Sequence, residues 1–501
     1  MKILAFITFI ITFILFQTMN AFAEEDESAY RTTVNKDHEM RIITSGSAAL
    51  NARIQMIRDA KTSIEMEYFI FNHDTSGGLV LKELATAAKR GVKIRLLVDK
   101  SVNASRLDEY YAQAVKENGI DIRYYNPAPM IKFGSIQFRN HRKLIVKDGE
   151  EAITGGRNIG DDYFDLSEDF NFLDREASIK GEIVGAMKNS FEKYWASDIV
   201  EAPGPIQAPY RNAEIKDESR DHDYQYRKKL QAKRLQKARD IFKYTPKDEQ
   251  TLAFIMDEGK KNLEANIVGN CPNVTFATDR EGASFLESLK GEKYEDKYRL
   301  LRKEIAKWVD DKVDKELVID SPYFLENTLS KKIRLKLIAA NKKITILTNS
   351  LASTDAIHVS SIFNDDIASY MKDGNFHAYI YKGESSAETK FISPKVKSSS
   401  WGTHSKTMVY NNDSFMIGTF NIDNRSSYYN TEMAIFCSGS PELAKDVMDN
   451  INLRKKSSTE LMQDGSLADC TELTGGAKVG VLKKLMYYLS KIPSRLFINL
   501  L

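Results

Sequence analysis

Two short His-x-Lys segments carry the side chains best suited to chemistry in this sequence, and they share the same downstream spacing. In each segment, a glycine follows the histidine by fourteen positions and an asparagine follows it by seventeen. The residues of the two copies are His141, Lys143, Gly155 and Asn158, and His404, Lys406, Gly418 and Asn421. A single His-x-Lys arises often by chance, whereas two copies with matching offsets indicate one site built twice.

Each copy predicts a β-hairpin that gathers polar side chains at one end. Alternate residues of a strand face the same side, so His141 and Lys143 should project together. An apolar run leads into an Asp-Gly turn at Asp148, and the returning strand carries Gly155 and Gly156 back beside the histidine. We expect these glycines to let backbone and substrate approach each other closely.

Two such hairpins, facing each other, would place two histidines, two lysines and two asparagines in one pocket. That composition suits a phosphodiester, because one neutral imidazole can attack phosphorus while the other, protonated, donates to the leaving oxygen. The lysines and asparagines would hold the charge on the non-bridging oxygens. Since the lysines supply the charge that a metal ion would provide, we predict a site that needs neither a metal nor another cofactor.

Helices and strands alternate in both halves of the chain and must position these hairpins. In the first half we predict a helix over 47–62, a strand over 63–71, a helix over 79–90 with Ser76 as cap and Gly91 as end, and a strand over 92–99. In the second half we predict strands over 316–324 and 342–350 and a helix over 331–341. The alternation predicts an α/β fold of two duplicated α/β/α sandwich domains, with mixed sheets packed about a pseudo-two-fold axis.

Composition divides the chain further. We predict a signal peptide at 1–23, a first domain at 45–200, a charged linker and helical insertion at 203–265, a second domain at 266–450 and a C-terminal extension at 451–501. The basic run from Arg227 to Arg239 in the insertion is either a solvated charged helix or a helix at an anionic lipid surface.

The N-terminus predicts export from the cytoplasm, to the periplasm or the medium. Lys2 precedes a long apolar run, and the small residues Ala21 and Ala23 suit cleavage after Ala23, although an uncleaved anchor would have a similar sequence. In an oxidising compartment we expect Cys271 and Cys470 to be the likelier disulfide and Cys437 to be a core thiol.

The overall composition is that of a soluble globular protein. The 501 residues include 72 basic and 70 acidic side chains, and 42% of residues are hydrophobic. A formal charge of +2 argues against a protein that binds polyanions over its whole surface.

The two motifs, and most of the chain after Ser45, resemble the phospholipase D superfamily, whose members carry paired H-x-K-x4-D motifs. The first copy fits this pattern with Asp148 and the following GGRN. The second has Asn411 where the family has Asp, and Gly418-Thr419 where Gly-Ser is common. We place Asn411 in the hairpin turn, where Asn and Asp both serve well, so we expect activity to survive.

The resemblance implies roles for individual residues. In the family a downstream carboxylate holds each catalytic histidine, and Asp174 and Glu432 stand at the corresponding positions. It also implies that His141 is the nucleophile and His404 the general acid and then base, and the residues alone leave the reverse assignment open. Within the superfamily the likeness is greatest to bacterial cardiolipin synthases of the C type. The ending LMYYLSKIPSRLFINLL resembles their closing segment, which either lies on a membrane surface or packs on the core.

The expected activity is phosphodiester chemistry on phospholipid headgroups at a membrane surface, by a monomer. With water as acceptor the product would be phosphatidic acid, and with an alcohol such as phosphatidylglycerol it would be a new phospholipid. One alternative is a nuclease of the same superfamily with Arg227–Arg239 as its DNA footprint, although two motifs in one chain favour lipid over nucleic acid. The other is a binding protein with a degenerate site, which Asn411 alone supports.

Overall fold

Two nine-stranded mixed sheets form the framework of the molecule. The computed structural model describes residues 29–101, 106–127, 137–210, 221–282, 285–385, 390–469, 472–474 and 479–496, so the predicted signal peptide and Cys470 lie outside the described residues. The strands are β1 (Arg31–Val34), β2 (His38–Ile43), β3 (Ser63–Tyr68), β4 (Lys93–Asp99), β5 (Ile120–Tyr125), β6 (Leu144–Lys147), β7 (Glu151–Gly155), β8 (Phe170–Leu173), β9 (Glu176–Lys180), β10 (Val200–Glu201), β11 (Val268–Cys271), β12 (Asn273–Thr278), β13 (Glu316–Asp320), β14 (Lys343–Asn349), β15 (Phe376–Tyr381), β16 (Ser400–Thr403), β17 (Thr407–Val409), β18 (Phe415–Gly418), β19 (Met433–Ser438) and β20 (Ser458–Glu460).

The helices lie between these strands and at the C-terminus. They are Gly46–Asp59, Thr75–Lys89, Glu109–Glu117, Ile183–Trp195, His222–Asp240, Pro246–Phe254, Lys260–Glu264, Phe285–Ser288, Glu292–Tyr298, Leu301–Lys312, Thr328–Ala339, Ile357–Met371, Pro394–Lys397, Pro441–Lys456 and Val481–Leu496, with a short 3-10 turn at Asp161–Tyr163 and π-helical turns at Ile255–Gly259 and Arg425–Tyr429. Among these helices of the described chain, none has both the length and the apolar character needed to cross a bilayer.

The two sheets have matching topologies, which confirms the predicted duplicated α/β fold. The first runs β10-β5-β4-β3-β6-β7-β9-β2-β11 and the second runs β1-β12-β19-β18-β17-β13-β14-β15-β20. In each, three parallel strands continue into the antiparallel hairpin that follows a His-x-Lys segment. The remaining strands, β8 and β16, pair in parallel with each other.

Most of the predicted helix and strand positions are confirmed, with small shifts at their ends. The helix expected over 79–90 begins earlier, because the Asp74 carboxylate rather than Ser76 caps it and accepts a hydrogen bond from the Gly77 amide at 3.1 Å. Strand β6 begins at Leu144, so the first His-x-Lys segment precedes the strand instead of lying in it. The hairpin itself is present as predicted.

The two halves share one core, in which helices from both are sandwiched between the sheets. Helix Ile183–Trp195 follows the first hairpin and helix Pro441–Lys456 follows the second, and both pack against strands of both sheets. The other large clusters lie on the outer faces, under the remaining helices. Since the central core contains residues of both halves, burial of apolar surface holds the two hairpins in a fixed relation.

Near residue 270 and at the N-terminus, the chain crosses between the sheets. Strand β1 pairs with β12 of the second sheet, whereas β11, which we assigned to the second domain, pairs with β2 of the first. This crossing places Cys271 beside β19, and it forms a disulfide with Cys437 across a Cα separation of 6.0 Å. The expected pairing with Cys470 and the interpretation of Cys437 as a free core thiol are therefore wrong.

The insertion packs along the outer side of the first domain. Helix His222–Asp240 is mostly exposed and lies against helix Glu109–Glu117, where Arg234 and Arg239 form ion pairs with Asp108 and Glu117. This placement agrees with a solvated charged helix. Its interaction with a lipid surface remains a prediction.

The turn of the first hairpin explains the role of the motif aspartate. Asp148 and Gly149 both have positive φ, 55° and 73°, as the two central residues of a type I′ turn do, and the Glu150 amide donates to the Lys147 carbonyl at 2.9 Å. The Asp148 carboxylate accepts hydrogen bonds from the amides of Lys61, Thr62 and Ser63 at 2.7–3.2 Å. Partial burial raises the pKa of Asp148, but these hydrogen bonds outweigh it and lower the pKa to about 2. The carboxylate therefore ties the hairpin to the start of β3.

Asn411 occupies the corresponding turn, between β17 and β18, as predicted. Its Nδ2 donates to the Lys312 carbonyl at 3.2 Å, and its Oδ1 accepts from the Asp413 amide at 2.9 Å. An aspartate there could not donate to the carbonyl, so the departure from the family pattern fits its own surroundings.

We expect Asp148→Ala to lower the free energy of unfolding by about 2 kcal/mol, with turnover nearly unchanged, because the lost hydrogen bonds are structural. Asn411→Ala should cost less, since it removes two hydrogen bonds between neutral groups. Asp148 is stabilising above its unfolded pKa of 3.8, and this contribution disappears as the pH falls towards about 2. Urea unfolding at pH 7 and at pH 3 measures both effects, and a difference that grows on acidification would contradict this role.

Candidate active site

Each motif histidine is held by a carboxylate from the opposite half of the molecule. His141 Nδ1 lies 2.9 and 3.0 Å from the two Glu432 oxygens, and His404 Nδ1 lies 2.7 Å from Asp174 Oδ2. All four side chains are at least nine-tenths buried. A carboxylate at Nδ1 fixes the N–H on that nitrogen and leaves Nε2 available for chemistry.

Strand pairing between the halves creates these two contacts. Before His404, strand β16 pairs in parallel with β8, and the His404 amide donates to the Leu173 carbonyl at 2.7 Å, one residue before Asp174. Before His141, Asn140 forms a parallel bridge with Thr431, and the His141 amide donates to the Thr431 carbonyl at 3.0 Å. Thus the chain leading to each histidine is paired with the chain leading to its carboxylate.

The motif glycines bring the hairpin close to the strand that carries the carboxylate. A Cβ on Gly155 would lie 2.5 Å from the Arg175 carbonyl oxygen, and one on Gly418 would lie 2.4 Å from the Met433 carbonyl oxygen. A Cβ on Gly156 would lie 2.2 Å from Asp174 Oδ1. The close approach that we expected is present, but the neighbour is this strand and not the substrate.

The second half replaces the second glycine by a residue that hydrogen bonds. The Thr419 hydroxyl donates to one Glu432 oxygen, and the Ser426 hydroxyl donates to the other at 2.7 Å. Asp174 has no matching hydroxyl donors among the described residues, and accepts instead from His404 and from the Arg175 amide. The two histidine–carboxylate pairs are therefore chemically different.

We expect Gly156→Ala to lower turnover about 100-fold or more, because its methyl group would displace the Asp174 carboxylate from His404. Thr419→Ser is the matched control at the equivalent position, since it keeps the hydroxyl donor and should stay within about threefold of the parent. Steady-state rates and melting temperatures of both variants test this. An active Gly156→Ala protein would show that Asp174 tolerates displacement.

Both motif lysines are buried, and each contacts the backbone of its own motif histidine. Lys143 Nζ donates to the His141 carbonyl at 2.6 Å, and Lys406 Nζ donates to the His404 carbonyl at 2.6 Å. Burial lowers the pKa of Lys143 well below its usual range and lowers that of Lys406 to about 8. A bound phosphodiester anion would raise both values, so the free site is prepared for a negative charge.

The two histidines open into one cavity of about 590 Å³. Asn158 and Asn421 also line it; Asn158 Oδ1 accepts from the Ile70 amide at 3.1 Å, and Asn421 Oδ1 is buried without a hydrogen-bond partner among the described residues. The structure therefore brings both histidines and both asparagines to one cavity, whereas the two carboxylates and the two lysines contact the histidines without lining it. Asp148 and Asn411 lie in the distant turns, as expected.

Sequence reasoning missed several residues that line the cavity. They are Phe69, Arg139, Tyr163, Tyr323, Asp355, His358, Asp423 and Arg425. Most lie in loops after strand ends, where no periodicity distinguishes them. Asp355 accepts a hydrogen bond from the Tyr323 hydroxyl at 2.7 Å, and both lie on the His404 side of the cavity.

The electrostatic surroundings of the two histidines differ. Burial, with Lys143 and Lys406, lowers the pKa of His141 well below its usual value. Burial also raises the pKa of its partner Glu432 to about 7, although Lys143 opposes this. For Asp174, burial raises the pKa, but His404 and Lys406 outweigh it and lower the value to about 2. Burial and Lys406 also lower the pKa of His404, but Asp174 opposes them. His404 therefore faces a full negative charge, whereas His141 faces a carboxyl group that is easily protonated.

Comparison with known proteins gives consistent results. A family model described as "Cardiolipin synthase, PLD-like domain" matches residues 53–195 and 311–453. The chain is 26% identical over 396 residues to cardiolipin synthase C of Escherichia coli (strain K12), covering 77% of this chain and 78% of that protein. It is 29% identical over 428 residues to an uncharacterised protein of Helicobacter pylori (strain ATCC 700392 / 26695), covering 82% and 78%.

Among solved structures, the phosphatidylserine synthase of Haemophilus influenzae Rd KW20 superposes with a TM-score of 0.60 at 15% identity. The superposition covers 92% of this chain and 95% of that one. The likeness therefore extends over both halves and concerns the fold.

Proposed function

Because the chain belongs to the cardiolipin synthase family of phospholipase D-like proteins, we propose that it transfers the phosphatidyl group of one phospholipid to an alcohol headgroup. The single observation that carries this proposal is the pair of buried histidines, each held at Nδ1 by a carboxylate, that open into one cavity. Two such imidazoles can serve one phosphorus atom in succession.

The reaction proceeds in two displacements. Neutral His141 Nε2 attacks phosphorus, a P–N bond forms, the P–O bond to the leaving alcohol breaks, and His404 Nε2–H gives its proton to the leaving oxygen. The acceptor hydroxyl then loses its proton to His404 and attacks phosphorus, and the P–N bond breaks. Throughout, the Lys143 and Lys406 ammonium groups and the asparagine amides hold the charge on the non-bridging oxygens.

The difference between the two pairs supports these roles. A general acid must be protonated before the first step, and the anionic Asp174 favours that form of His404 against burial and Lys406, which lower its pKa. A nucleophile must be neutral, and a Glu432 whose pKa lies near 7 favours a neutral His141. The reverse assignment would place the stronger anion beside the group that must not be charged.

An alcohol acceptor is supported by the composition of the cavity near His404. Tyr323, Asp355 and His358 offer hydrogen-bond donors and acceptors there, which suits a polyhydric headgroup such as the glycerol end of phosphatidylglycerol. The similarity to cardiolipin synthase C over most of the chain supports the same acceptor. Hydrolysis to phosphatidic acid is the competing outcome when water reaches the phosphoenzyme.

We also propose that the protein acts outside the cytoplasm. The N-terminal sequence has the features of an export signal, and the Cys271–Cys437 disulfide suits an oxidising compartment. A fusion of residues 1–28 to a reporter that is active only after export would test this, with Lys2 and the apolar run replaced in the control.

A product analysis tests the proposed reaction. The purified mature protein is incubated with vesicles of labelled phosphatidylglycerol and phosphatidylethanolamine in EDTA, with and without added glycerol, and in parallel with plasmid DNA. We expect labelled cardiolipin or another transphosphatidylation product, at a rate that EDTA does not change. Phosphatidic acid alone would indicate a phospholipase, loss of activity in EDTA would overturn metal independence, and cut DNA with unchanged lipid would indicate a nuclease.

A further inference from the structure

The C-terminal helix Val481–Leu496 is attached to the protein by its polar side. Its contacts with helix Ile357–Met371 and the loop before it are mostly hydrogen bonds and ion pairs of polar side chains. These are Lys483 to the Thr354 carbonyl at 2.8 Å, Tyr487 with Asn364 at 3.2 Å, Lys491 to Asp365 at 2.7 Å and Arg495 to Asp366 at 2.7 and 2.8 Å. A surface helix of a soluble domain usually turns its apolar side inward, so this orientation is the reverse of the expected one.

The apolar side of this helix faces outward. Five side chains at heptad-like spacing, Leu482, Leu485, Leu489, Ile492 and Leu496, form a stripe in which every residue is more than half exposed. Tyr488, beside the stripe, is 60% exposed. A contiguous exposed apolar stripe indicates a binding surface for an apolar partner.

The charge of the C-terminal segment indicates which kind of partner binds the apolar stripe. From Gly475 to Leu501 the sequence contains five basic residues and no acidic one. The combination of an exposed leucine face, a tyrosine and basic side chains is that of a helix that lies in the headgroup region of a bilayer.

The position of the helix connects this surface with the candidate active site. Lys483 is bonded to the carbonyl of Thr354, the residue before the cavity-lining Asp355. Tyr487 packs with Leu351 of the same loop. The first residues of helix Ile357–Met371, including His358 and Val359, also line the cavity. The outward apolar face is thus fixed to the segment that forms one wall of the cavity.

We propose that the outward face of Val481–Leu496 docks on a phospholipid bilayer and holds the cavity at the level of the headgroups. The role of this docking in catalysis rests on the proposed function, but the docking itself can be measured without turnover. The helix would lie in the surface of the bilayer with its basic side chains at the headgroups, and the substrate phosphate would reach His141 without the lipid leaving the membrane.

Vesicle flotation of the full mature chain tests the proposal. We expect the parent to float with vesicles of phosphatidylglycerol and phosphatidylethanolamine. The double variant Leu485→Glu/Leu489→Glu should reduce the bound fraction ~10-fold or more, because two charges would enter the apolar layer. Leu335→Glu is the matched control, since Leu335 is a similarly exposed leucine on another helix, and it should bind as the parent does. Circular dichroism melts verify that each variant is folded.

Further measurements distinguish a lipid bilayer from the other possible partners of this face. They also separate the docking proposal from the proposed reaction. Unchanged flotation of the double variant would overturn docking through this helix, and loss of flotation in Leu230→Glu would move the membrane contact to helix His222–Asp240. A parent that is a dimer by light scattering, with a monomeric double variant, would overturn lipid docking by assigning the face to a second copy. A His404→Ala protein should float like the parent although it does not turn over lipid, because docking does not need the reaction. A parent protein that floats but does not turn over lipid would count against the reaction alone.

Discussion

Alanine at either motif histidine is expected to reduce turnover of phospholipid by about 10⁴-fold or more, with little loss of stability, because the two groups act as one unit. His141 and His404 line a polar cavity and not the apolar core, so truncation leaves a space that water can fill. Steady-state assays with lipid substrate measure the loss, and urea unfolding verifies that the fold is intact.

A substrate with a good leaving group separates the two roles. With an aryl phosphodiester the first displacement needs little help from an acid, so His404→Ala should still release about one equivalent of phenol per site in a burst. The phosphoenzyme then persists, because no base activates the acceptor. His141→Ala should give no burst, since no P–N bond can form.

Quenching in alkaline denaturant, followed by peptide mapping at alkaline pH, identifies the phosphorylated residue. We expect an alkali-stable, acid-labile phosphate on His141 in the His404→Ala protein. Phosphate on His404 in the His141→Ala protein, with a matching burst, would exchange the two assignments. If lipid turnover required only one of the two histidines, a two-histidine mechanism would be wrong.

The sequence was sufficient to predict the fold class and the meeting of two histidines and two asparagines at one cavity. The reason is that His-x-Lys, the turn, the glycine and the asparagine lie within or directly beside one hairpin, where spacing determines geometry. The family resemblance, confirmed by the match over both halves, added Asp174 and Glu432. These two residues do lie at the histidines, as the resemblance implied.

What the sequence could not provide is the set of contacts made between the halves. That Asp174 holds His404 and Glu432 holds His141 depends on the pairing of β8 with β16 and on the bridge of Asn140 with Thr431. The disulfide of Cys271 with Cys437 likewise depends on the crossing of the chain between the sheets. Such pairings join residues more than 160 positions apart, and no local pattern encodes them.

The burial of charged groups also could not be predicted from the sequence. Arg142, the residue between His141 and Lys143, is fully buried. It pairs with Glu67 at 3.0 Å, and its guanidinium carbon lies 3.7 Å from the centre of the Tyr194 ring. The C-terminal helix shows the opposite, because its apolar side chains are exposed. Its periodicity predicts an apolar stripe but does not show which side of the helix faces the protein. Both depend on what packs opposite, which is a property of the folded chain.

Asp174→Asn is expected to be far more damaging than Glu432→Gln, although both replace a carboxylate by its amide. At neutral pH the pKa of Asp174, about 2, makes it a full anion. Burial and Lys406 lower the pKa of His404 and Asp174 opposes them, so the amide removes the charge that favours the protonated form of His404. A carboxylate-to-amide change beside a catalytic histidine costs about 10⁴-fold in a serine protease, and we expect about 10³-fold here. Glu432, with a pKa of about 7, already spends part of its time uncharged, so its amide should cost about 10-fold at pH 7.

The pH dependence gives the sharper test of this difference. The general acid acts only when protonated, so turnover of the parent falls as the pH rises through the pKa of His404. In Asp174→Asn the loss of the anion lowers the pKa of His404. The alkaline limb of kcat/KM therefore moves to lower pH. For Glu432→Gln, the ratio of parent to variant rates should instead grow as the pH rises from 6 to 8, because only the parent gains the anion that makes His141 a stronger nucleophile. Rates measured from pH 5 to 9 with a phosphatidylglycerol substrate give both profiles. Equal losses with parallel profiles would show that the two carboxylates act alike, and the unequal roles of the two histidines would lose their electrostatic basis.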